Sequence, residues 1–364
     1  MTTVRPLPDF PWDTISEQAT LARSHPDGLV DLSVGTPVDP VPEVVQAALA
    51  SVADEPGYPW TAGTPALREA AAAALRRRFD VTGVEPAAVL PTIGSKELVA
   101  WLPTLLGLGP GDVVAIPELA YPTYETGALL AGAKVVRLAC GAAPPAGTRL
   151  VWLNSPSNPT GRVAPAGELA AAVAAARAAG AVVASDECYL SMAFTGSKPV
   201  SVLHPAVAGE RLDGLLAVHS LSKSSNLAGY RAAFVAGDPA LVTALLAVRR
   251  HAGMIVSRPV QAAMTAALTD DSHVARQRER YAARREVLLG AVRGAGFDVE
   301  HSAAGLYLWI TRGEPCRRTL LWFAERGILV APGDFYGPAG ARHVRIALTA
   351  TDEGVATAAR RLSR

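Results

Sequence analysis

Lysine is rare in this chain of 364 residues, which has only four lysines beside thirty arginines. Where a positive charge alone is needed, the sequence uses arginine. A guanidinium stays protonated and is a poor nucleophile, whereas a buried lysine amine can lose its proton and attack a carbonyl. Each lysine is therefore a candidate for covalent chemistry, and the four are Lys96, Lys134, Lys198 and Lys223.

The chain also has almost no excess of charge of either sign, since it contains 34 basic and 33 acidic side chains. The densest basic cluster is Arg76-Arg77-Arg78, which is too small to predict binding to nucleic acid or to an anionic membrane. The most apolar stretches, 98–108 and 169–183, fall short of the roughly 18 apolar residues of a membrane helix. We therefore predict small-molecule partners, no nucleic acid and no membrane.

Cysteine is scarce too, with three residues at positions 140, 188 and 316. Their number is odd and no two have Cys-x-x-Cys spacing, so we predict neither a disulfide framework nor a metal site and interpret them as packing residues. The N-terminus has no apolar run typical of a signal peptide. Together these features predict a protein of the reducing cytoplasm.

Short apolar runs alternate with alanine-rich segments of helical length between residues 85 and 240. The predicted strands are 88–92, 112–116, 134–138, 150–154, 181–185, 215–219 and 233–237, and predicted helices include 95–106 and 167–179. The strands are too apolar to alternate between a buried and an exposed face. This pattern predicts an α/β fold whose large domain has a mostly parallel seven-stranded sheet between layers of helices.

The pattern changes after Gly253. A charged helix is predicted at 272–293, followed by short strands at 305–310 and 343–348 and a helix at 316–326. These elements predict a smaller α+β domain, against which the first 35 residues pack. The predicted domains are therefore 36–268 for the large one, and 1–35 together with 269–364 for the small one.

Polar residues follow three of the predicted strands. Asp186 and Tyr189 follow strand 181–185, Asn158 follows strand 150–154, and Ser220 and Lys223 follow strand 215–219. Because parallel strands end at one edge of a sheet, an acid, an amide, a phenol and an amine are brought towards one pocket.

A fourth strand leads into Gly94-Ser95-Lys96 and then a helix, a turn that offers free backbone N–H groups to a phosphate. Most such turns are only helix caps, so this signal alone is weak. A phosphate site beside an amine, an acid and a phenol suits pyridoxal phosphate, whose aldehyde, ring nitrogen and phenolate oxygen need those groups. Lys223 is the predicted covalent lysine, because Lys96 lies in the phosphate turn, away from the aldehyde.

With these motifs, the chain resembles the fold-type I, class I/II aminotransferases, from Leu32-Ser-Val-Gly-Thr-Pro to His343-Val-Arg-Ile. The resemblance implies that Lys223 binds the cofactor aldehyde and moves the proton, and that Asp186 pairs with the ring nitrogen. Asn158 and Tyr189 match the donors to the phenolate oxygen. The residues that match phosphate ligands are Gly94, Ser95, Lys96, Ser220 and Arg231.

The same resemblance implies the substrate contacts and a partner. Arg345 matches the arginine that binds the substrate α-carboxylate, with Gly35 and Asn158 in the same pocket. Tyr121 matches the aromatic residue that stacks on the cofactor ring. Tyr58 matches a tyrosine that reaches the phosphate of the neighbouring subunit, which implies a homodimer with shared active sites.

The amino-acid sequences of several motifs resemble those of the actinobacterial N-succinyldiaminopimelate aminotransferases, notably at 31–40, 117–124, 220–231 and 331–338. This implies glutamate as amino donor and N-succinyl-2-amino-6-ketopimelate as acceptor, in diaminopimelate and lysine biosynthesis. The residues themselves leave other substrates open: an aspartate or aromatic aminotransferase shares every catalytic residue, and a pyridoxal phosphate C–S lyase shares the fold. The effector module of a transcription regulator is disfavoured by the chain length and the neutral charge.

Overall fold

Strands and helices alternate through most of the computed structural model, which describes residues 7–194 and 196–363. Residues 1–6, 195 and 364, which the predicted domains include, lie outside these ranges. The strands are β1 (Val30–Asp31), β2 (Val89–Ile93), β3 (Val113–Pro117), β4 (Lys134–Leu138), β5 (Thr148–Asn154), β6 (Val182–Asp186), β7 (Leu215–Ser220), β8 (Ala232–Gly237), β9 (Asp298–Glu300), β10 (Tyr307–Thr311), β11 (Ile328–Leu329), β12 (Ala331–Pro332) and β13 (Val344–Ala347).

The helices occupy most of the segments between the strands. They are α1 (Ser16–Arg23), α2 (Glu43–Ser51), α3 (Pro65–Phe79), α4 (Ser95–Leu105), α5 (Thr123–Ala131), α6 (Ala166–Ala178), α7 (Pro205–Ala208), α8 (Leu221–Ser224), α9 (Pro239–Ala252), α10 (Arg258–Thr269), α11 (Ser272–Gly294), α12 (Cys316–Ala324) and α13 (Asp352–Leu362). Short 3-10 helices lie at Pro11–Ile15, Pro86–Ala88, Gly333–Tyr336 and Pro338–Gly340. None of the helices in the described ranges is long and apolar enough to cross a membrane.

The large sheet has seven strands in the order β2-β8-β7-β6-β5-β3-β4. Strand β8 is antiparallel to both of its neighbours, and the other pairs are parallel. Every residue of β7 and β8 is buried. The predicted mostly parallel seven-stranded sheet is therefore confirmed, and burial on both faces explains why its strands are continuously apolar.

A layer of helices covers each face of the sheet. Successive residues of a strand point to opposite faces, so each strand contributes side chains to both layers. On one face, Val183 and Leu215 belong to a hydrophobic cluster with residues of α3, α6 and α10. On the other face, Ala184 and Leu216 belong to a cluster with residues of α4, α5 and α9. The sheet is thus the middle layer of a helix–sheet–helix sandwich.

A second sheet, in the order β12-β13-β10-β9, is antiparallel and lies in the C-terminal part. Its hydrophobic cluster also contains Ile15 and Ala19 from the N-terminal segment. Strand β1 pairs in parallel with β11, so the N-terminal segment is joined to the C-terminal part by a strand pair. The domain boundaries at residues 36 and 269 stay a prediction.

The carboxyl ends of the central strands are aligned by their register. Asn154, the last residue of β5, lies beside Asp186, the last residue of β6. Asp186 in turn lies beside Val218 of β7, two residues before Ser220. The polar residues that follow these strands therefore emerge together at one edge of the sheet.

Candidate active site

A cavity of about 1180 Å³ opens at this edge of the sheet. The predicted site residues that line it are Gly35, Ser95, Lys96, Tyr121, Asn158, Asp186, Tyr189, Ser220, Lys223, Arg231 and Arg345. Of the other two, Gly94 lies against Arg231, and Tyr58 lies elsewhere with 92% of its surface exposed. A smaller cavity of about 450 Å³ beside β3, β4 and β5 contains none of these residues.

Lys223 lies on the short helix α8, directly after β7. The hydroxyl of Ser220 caps this helix by accepting a bond from the N–H of Ser222 at 3.1 Å. The Lys223 amine is partly buried and donates to the carbonyl oxygen of Gly35. Burial lowers the pKa of the Lys223 ammonium, which favours the neutral amine that a nucleophile or a base requires.

Asp186 is buried at the end of β6 and lines the cavity. Burial raises the pKa of its carboxyl, while hydrogen bonds from Cys188 and Tyr124 lower it. The Tyr124 hydroxyl donates to Oδ2 at 2.8 Å, and the Cys188 N–H donates to Oδ1 at 3.2 Å. Each carboxylate oxygen can accept more than one hydrogen bond, so the group can still bind a cationic ligand.

Tyr124 is a site residue that the sequence analysis missed. It lies in α5, where its ring stacks on Trp152 with centroids 4.8 Å apart. Its hydroxyl reaches Asp186 across 62 positions of sequence. The only signal was its place beside Tyr121 in the motif Tyr-Pro-Thr-Tyr, and that motif does not show which tyrosine faces the acid.

Arg345 forms the opposite wall of the cavity and is 3% exposed. Its Nη1 donates to Oδ1 of Asn158 at 2.9 Å, and its Nη2 donates to the carbonyl oxygen of Ser33 at 2.6 Å. Both nitrogens have a second N–H, so the guanidinium can still bind a carboxylate through two bonds. No carboxylate is among its hydrogen-bond partners within residues 7–194 and 196–363.

Tyr307 completes this wall and was also missed. The Arg345 guanidinium lies over its ring at 3.9 Å, and its hydroxyl lies 3.0 Å from the hydroxyl of Tyr189. A Cβ added to Gly35 would lie 2.2 Å from the Tyr307 hydroxyl. Glycine at position 35 is therefore what allows Tyr307 to approach this close.

The end of β2 forms a basic cradle. Gly94 has a positive φ of 75°, and a Cβ there would lie 2.2 Å from Nη2 of Arg231. Helix α4 begins at the next residue, Ser95, so its free N–H groups face the same corner as the Arg231 guanidinium. The Lys96 ammonium lies 5.5 Å from the centre of the Phe10 ring, towards the N-terminal segment.

Tyr121 stands in the cavity with its ring perpendicular to that of Tyr124, at a centroid distance of 5.7 Å. Burial raises the pKa of the Tyr121 phenol to about 12, so it stays neutral. The cavity thus combines a basic cradle, an amine, an acid and an aromatic side chain. These groups fit the phosphate, aldehyde, ring nitrogen and ring face of pyridoxal phosphate.

A sequence model described as aminotransferase class I and II matches residues 27–362. The chain belongs to this family. Its members use pyridoxal phosphate and act on small-molecule substrates, namely amino acids and keto acids. The predicted family and cofactor are therefore confirmed.

Curated relatives of this aminotransferase include two that align over nearly its whole length. A probable aminotransferase of Mycobacterium tuberculosis is 62% identical, over 98% of this chain and 85% of that protein. The 4-dedimethylamino-4-oxo-anhydrotetracycline transaminase of Streptomyces rimosus is 59% identical, over 99% of this chain and 100% of that protein.

Solved structures agree with the fold of the aminotransferase. A probable N-succinyldiaminopimelate aminotransferase from Thermus thermophilus is 30% identical with a TM-score of 0.87, over 97% of this chain and 99% of that one. A double mutant of the aspartate aminotransferase from the same organism is 26% identical with a TM-score of 0.89, over the full length of both chains.

Replacing Gly94 by alanine is expected to weaken cofactor binding. The new methyl group displaces the Arg231 guanidinium, so we expect the Kd for pyridoxal phosphate to rise by about tenfold or more, measured by fluorescence titration of the apoenzyme.

Gly107→Ala is the matched control for this change. Gly107 follows the same helix, has a φ of 74°, and has no atom within 4 Å of an added Cβ. Both variants bear a similar backbone cost, about 1–2 kcal/mol. A Kd that rises equally in both variants would contradict the Arg231 cradle.

Proposed function

We propose that this aminotransferase transfers the amino group of glutamate to N-succinyl-2-amino-6-ketopimelate. The products are 2-oxoglutarate and N-succinyl-LL-2,6-diaminopimelate. The observation that carries the aminotransfer is the placement of Lys223, Asp186 and Arg345 around one cavity. The acceptor is supported by the likeness over 97% of the chain to the probable N-succinyldiaminopimelate aminotransferase.

Arg345 binds the substrate α-carboxylate in this proposal. Its remaining N–H groups make two charge-assisted bonds, while Asn158 and the Ser33 carbonyl hold the guanidinium in place. Gly35 leaves room for Tyr307 beside the bound group. The α-carbon is thereby fixed next to Lys223.

Lys223 moves the proton. Pyridoxal phosphate, when bound, supplies an electron sink for the pair left on the α-carbon. The neutral Lys223 amine takes the proton from the α-carbon and returns it to the cofactor side, as a general base and then a general acid. Its low pKa, caused by burial, favours the neutral form at the start.

The remaining predicted residues hold the cofactor. Asp186 keeps the ring nitrogen protonated, and its ionised form is stabilised by the bond from Tyr124. Asn158 and Tyr189 donate to the phenolate oxygen, and Tyr121 stacks on the ring. The phosphate is bound by the backbone N–H groups of Ser95 and Lys96 at the start of α4, by Ser220 and by Arg231, and Gly94 leaves space for the Arg231 guanidinium.

The outer wall of the cavity supports a long acceptor with acidic groups. Typical ligand pockets measure about 300–1000 Å³, and this cavity of about 1180 Å³ is larger. Lys96 and Arg317 bring positive charge to this cavity, although Asp9, Glu125 and Asp334 also line it and Arg317 is 2.7 Å from Asp334. The chain thus offers cationic side chains to the distal carboxylates.

A second candidate acceptor is a polycyclic ketone like the one in the name of the Streptomyces rimosus relative. The same outer wall carries an aromatic row, in which Trp12 lies 5.6 Å from Phe10 and 5.3 Å from Phe335, between ring centroids. Such a row suits a flat ring system.

The acceptors are distinguished by kcat/KM in the presence of glutamate. We expect the succinylated keto acid to give the highest value, above oxaloacetate, phenylpyruvate and the tetracyclic ketone. Only its chain is long enough to bring carboxylates to Lys96 and Arg317 while Arg345 binds the keto acid end. A higher value for one of the others would replace the proposed acceptor. Release of pyruvate and ammonia from cystathionine would instead indicate a C–S lyase.

Lys223→Ala is expected to lower the transamination rate by at least about 100-fold, since both the covalent amine and the proton carrier are lost. Lys198→Ala, at an exposed lysine that does not line the cavity, is the matched control and should retain the cofactor absorbance band and the rate. Borohydride reduction of the wild-type protein should label the peptide that contains Lys223. A label on Lys96 would show that the lysine was misassigned.

We propose further that the protein is a homodimer with shared active sites. Tyr58 is 92% exposed and Trp60 is 61% exposed, both unusual for large aromatic side chains. In a dimer, Tyr58 would reach the cofactor phosphate of the partner subunit.

Mixed dimers test this sharing. Lys223→Ala and Tyr58→Ala subunits should each be poorly active alone when the cofactor is limiting. An equal mixture, refolded together, should recover about a quarter of the wild-type activity, because each mixed dimer has one intact site. Full activity of a monomer, or no recovery in the mixture, would rule the sharing out.

A further inference from the structure

Two buried titratable side chains lie directly behind the active site. Glu187 follows Asp186, and His219 precedes Ser220, so each is the sequence neighbour of a residue that lines the large cavity. Their own side chains line a different cavity, of about 30 Å³, on the side of α3. Any effect of these two side chains on the active site must therefore pass through Asp186 and Ser220.

The two side chains face each other. Oε1 of Glu187 accepts a hydrogen bond from the N–H of Val202 at 2.6 Å. Oε2 lies 3.3 Å from Nε2 of His219. Within the described residues, neither Oε2 nor Nε2 has another hydrogen-bond partner, although both are buried. An unsatisfied buried polar atom is costly, so a proton between these two atoms is strongly favoured.

The surroundings of His219 oppose a positive charge. Its ring is stacked between Phe234 at 5.0 Å and Phe79 at 6.0 Å, between centroids. Burial, and to a smaller extent the positive charge of Arg78 on α3, lower the pKa of the imidazole to about 3. The ring is therefore neutral, and the proton must come from its own N–H or from Glu187.

The surroundings of Glu187 oppose a negative charge. Burial raises the pKa of its carboxyl to about 7, against hydrogen bonds from Val202, Ser201 and Ser185 that lower it. The negative charge of Asp186 raises the Glu187 pKa again. A hydrogen bond from Glu187 to His219 also raises the Glu187 pKa, because only the protonated carboxyl can donate it.

We propose that Glu187 is a positioning residue whose protonated carboxyl donates a hydrogen bond to Nε2 of His219. The neutral pair ties the end of β6 to the end of β7, which keeps Asp186 in place relative to Ser220 and Lys223. It also avoids a second negative charge beside the acid that serves the cofactor ring. This inference concerns the cofactor half of the site and does not depend on the proposed acceptor.

Glu187→Gln tests the charge state, because glutamine stays neutral, can donate to His219 and can accept from Val202. The infrared spectrum of the wild type should contain the carbonyl stretch of a protonated carboxylic acid, and the variant should lack it. We expect the apparent pKa of the cofactor absorbance band to change by less than about 0.5. Glu210→Gln, at an exposed position, should change neither observable.

Glu187→Ala tests the positioning. It removes the bonds to His219 and Val202 and leaves both groups unpaired, so the Kd for pyridoxal phosphate should rise by about tenfold. Glu187→Gln should stay within about twofold of wild type. Equal losses in the two variants would contradict the role of the shared hydrogen bonds.

The proposal fails if the infrared band is absent from the wild type. It also fails if Glu187→Gln clearly lowers the pKa of the cofactor absorbance, because that shift would show that an ionised Glu187 stabilises the cationic cofactor. Both readouts are independent of the acceptor, so failure here and failure of the proposed reaction are separable.

The pH dependence of the free energy of unfolding tests the protonation of Glu187 independently. The folded chain holds the Glu187 proton up to about pH 7, whereas the ordinary value is 4.5. The stability that this proton contributes is present below pH 4.5 and is lost as the pH rises through about 7. The wild type should therefore lose free energy of unfolding relative to Glu187→Gln across this window.

Discussion

Backbone hydrogen bonds between β5, β6 and β7 set the register on which the rest of the site depends. They place Asn154 beside Asp186, and Asp186 beside the residues that lead to Ser220. Because side chains alternate along a strand, a slip of one residue would exchange the faces of neighbouring residues. Glu187 would then turn into the cavity and Asp186 would face α3. The register of the sheet therefore determines which acid faces the cavity.

The substrate side of the cavity has a different physical character. Arg345 is buried against Tyr307, and two neutral oxygens, from Asn158 and Ser33, accept its hydrogen bonds. A buried cation without an anionic partner is costly. In the proposed reaction, the α-carboxylate of the substrate supplies this anionic partner. Part of the binding energy would then come from relieving the cost of the buried, unpaired cation.

The sequence predicted the seven strands because buried parallel strands are continuously apolar, and it predicted Asp186 and Lys223 because each follows such a strand. It did not predict the strand order, since apolar runs carry no information about their neighbours. Tyr124, Tyr307 and Ser33 were missed for a related reason. Their contacts join positions 62, 118 and 312 residues apart, and no local pattern encodes such pairs. The role of Tyr58 stays a prediction, because it needs a second subunit.

The contact between Ser33 and Arg345 joins residues near opposite ends of the chain. A nascent chain emerges from its N-terminus, and domains fold as they become available. The residues predicted to hold the cofactor within one chain have all been synthesised once Arg231 is added. Arg345, the residue that we propose binds the substrate carboxylate, is added much later, with β13. Under these proposed roles, a ribosome-bound chain contains every residue of its cofactor pocket before it contains the arginine that binds the amino acid.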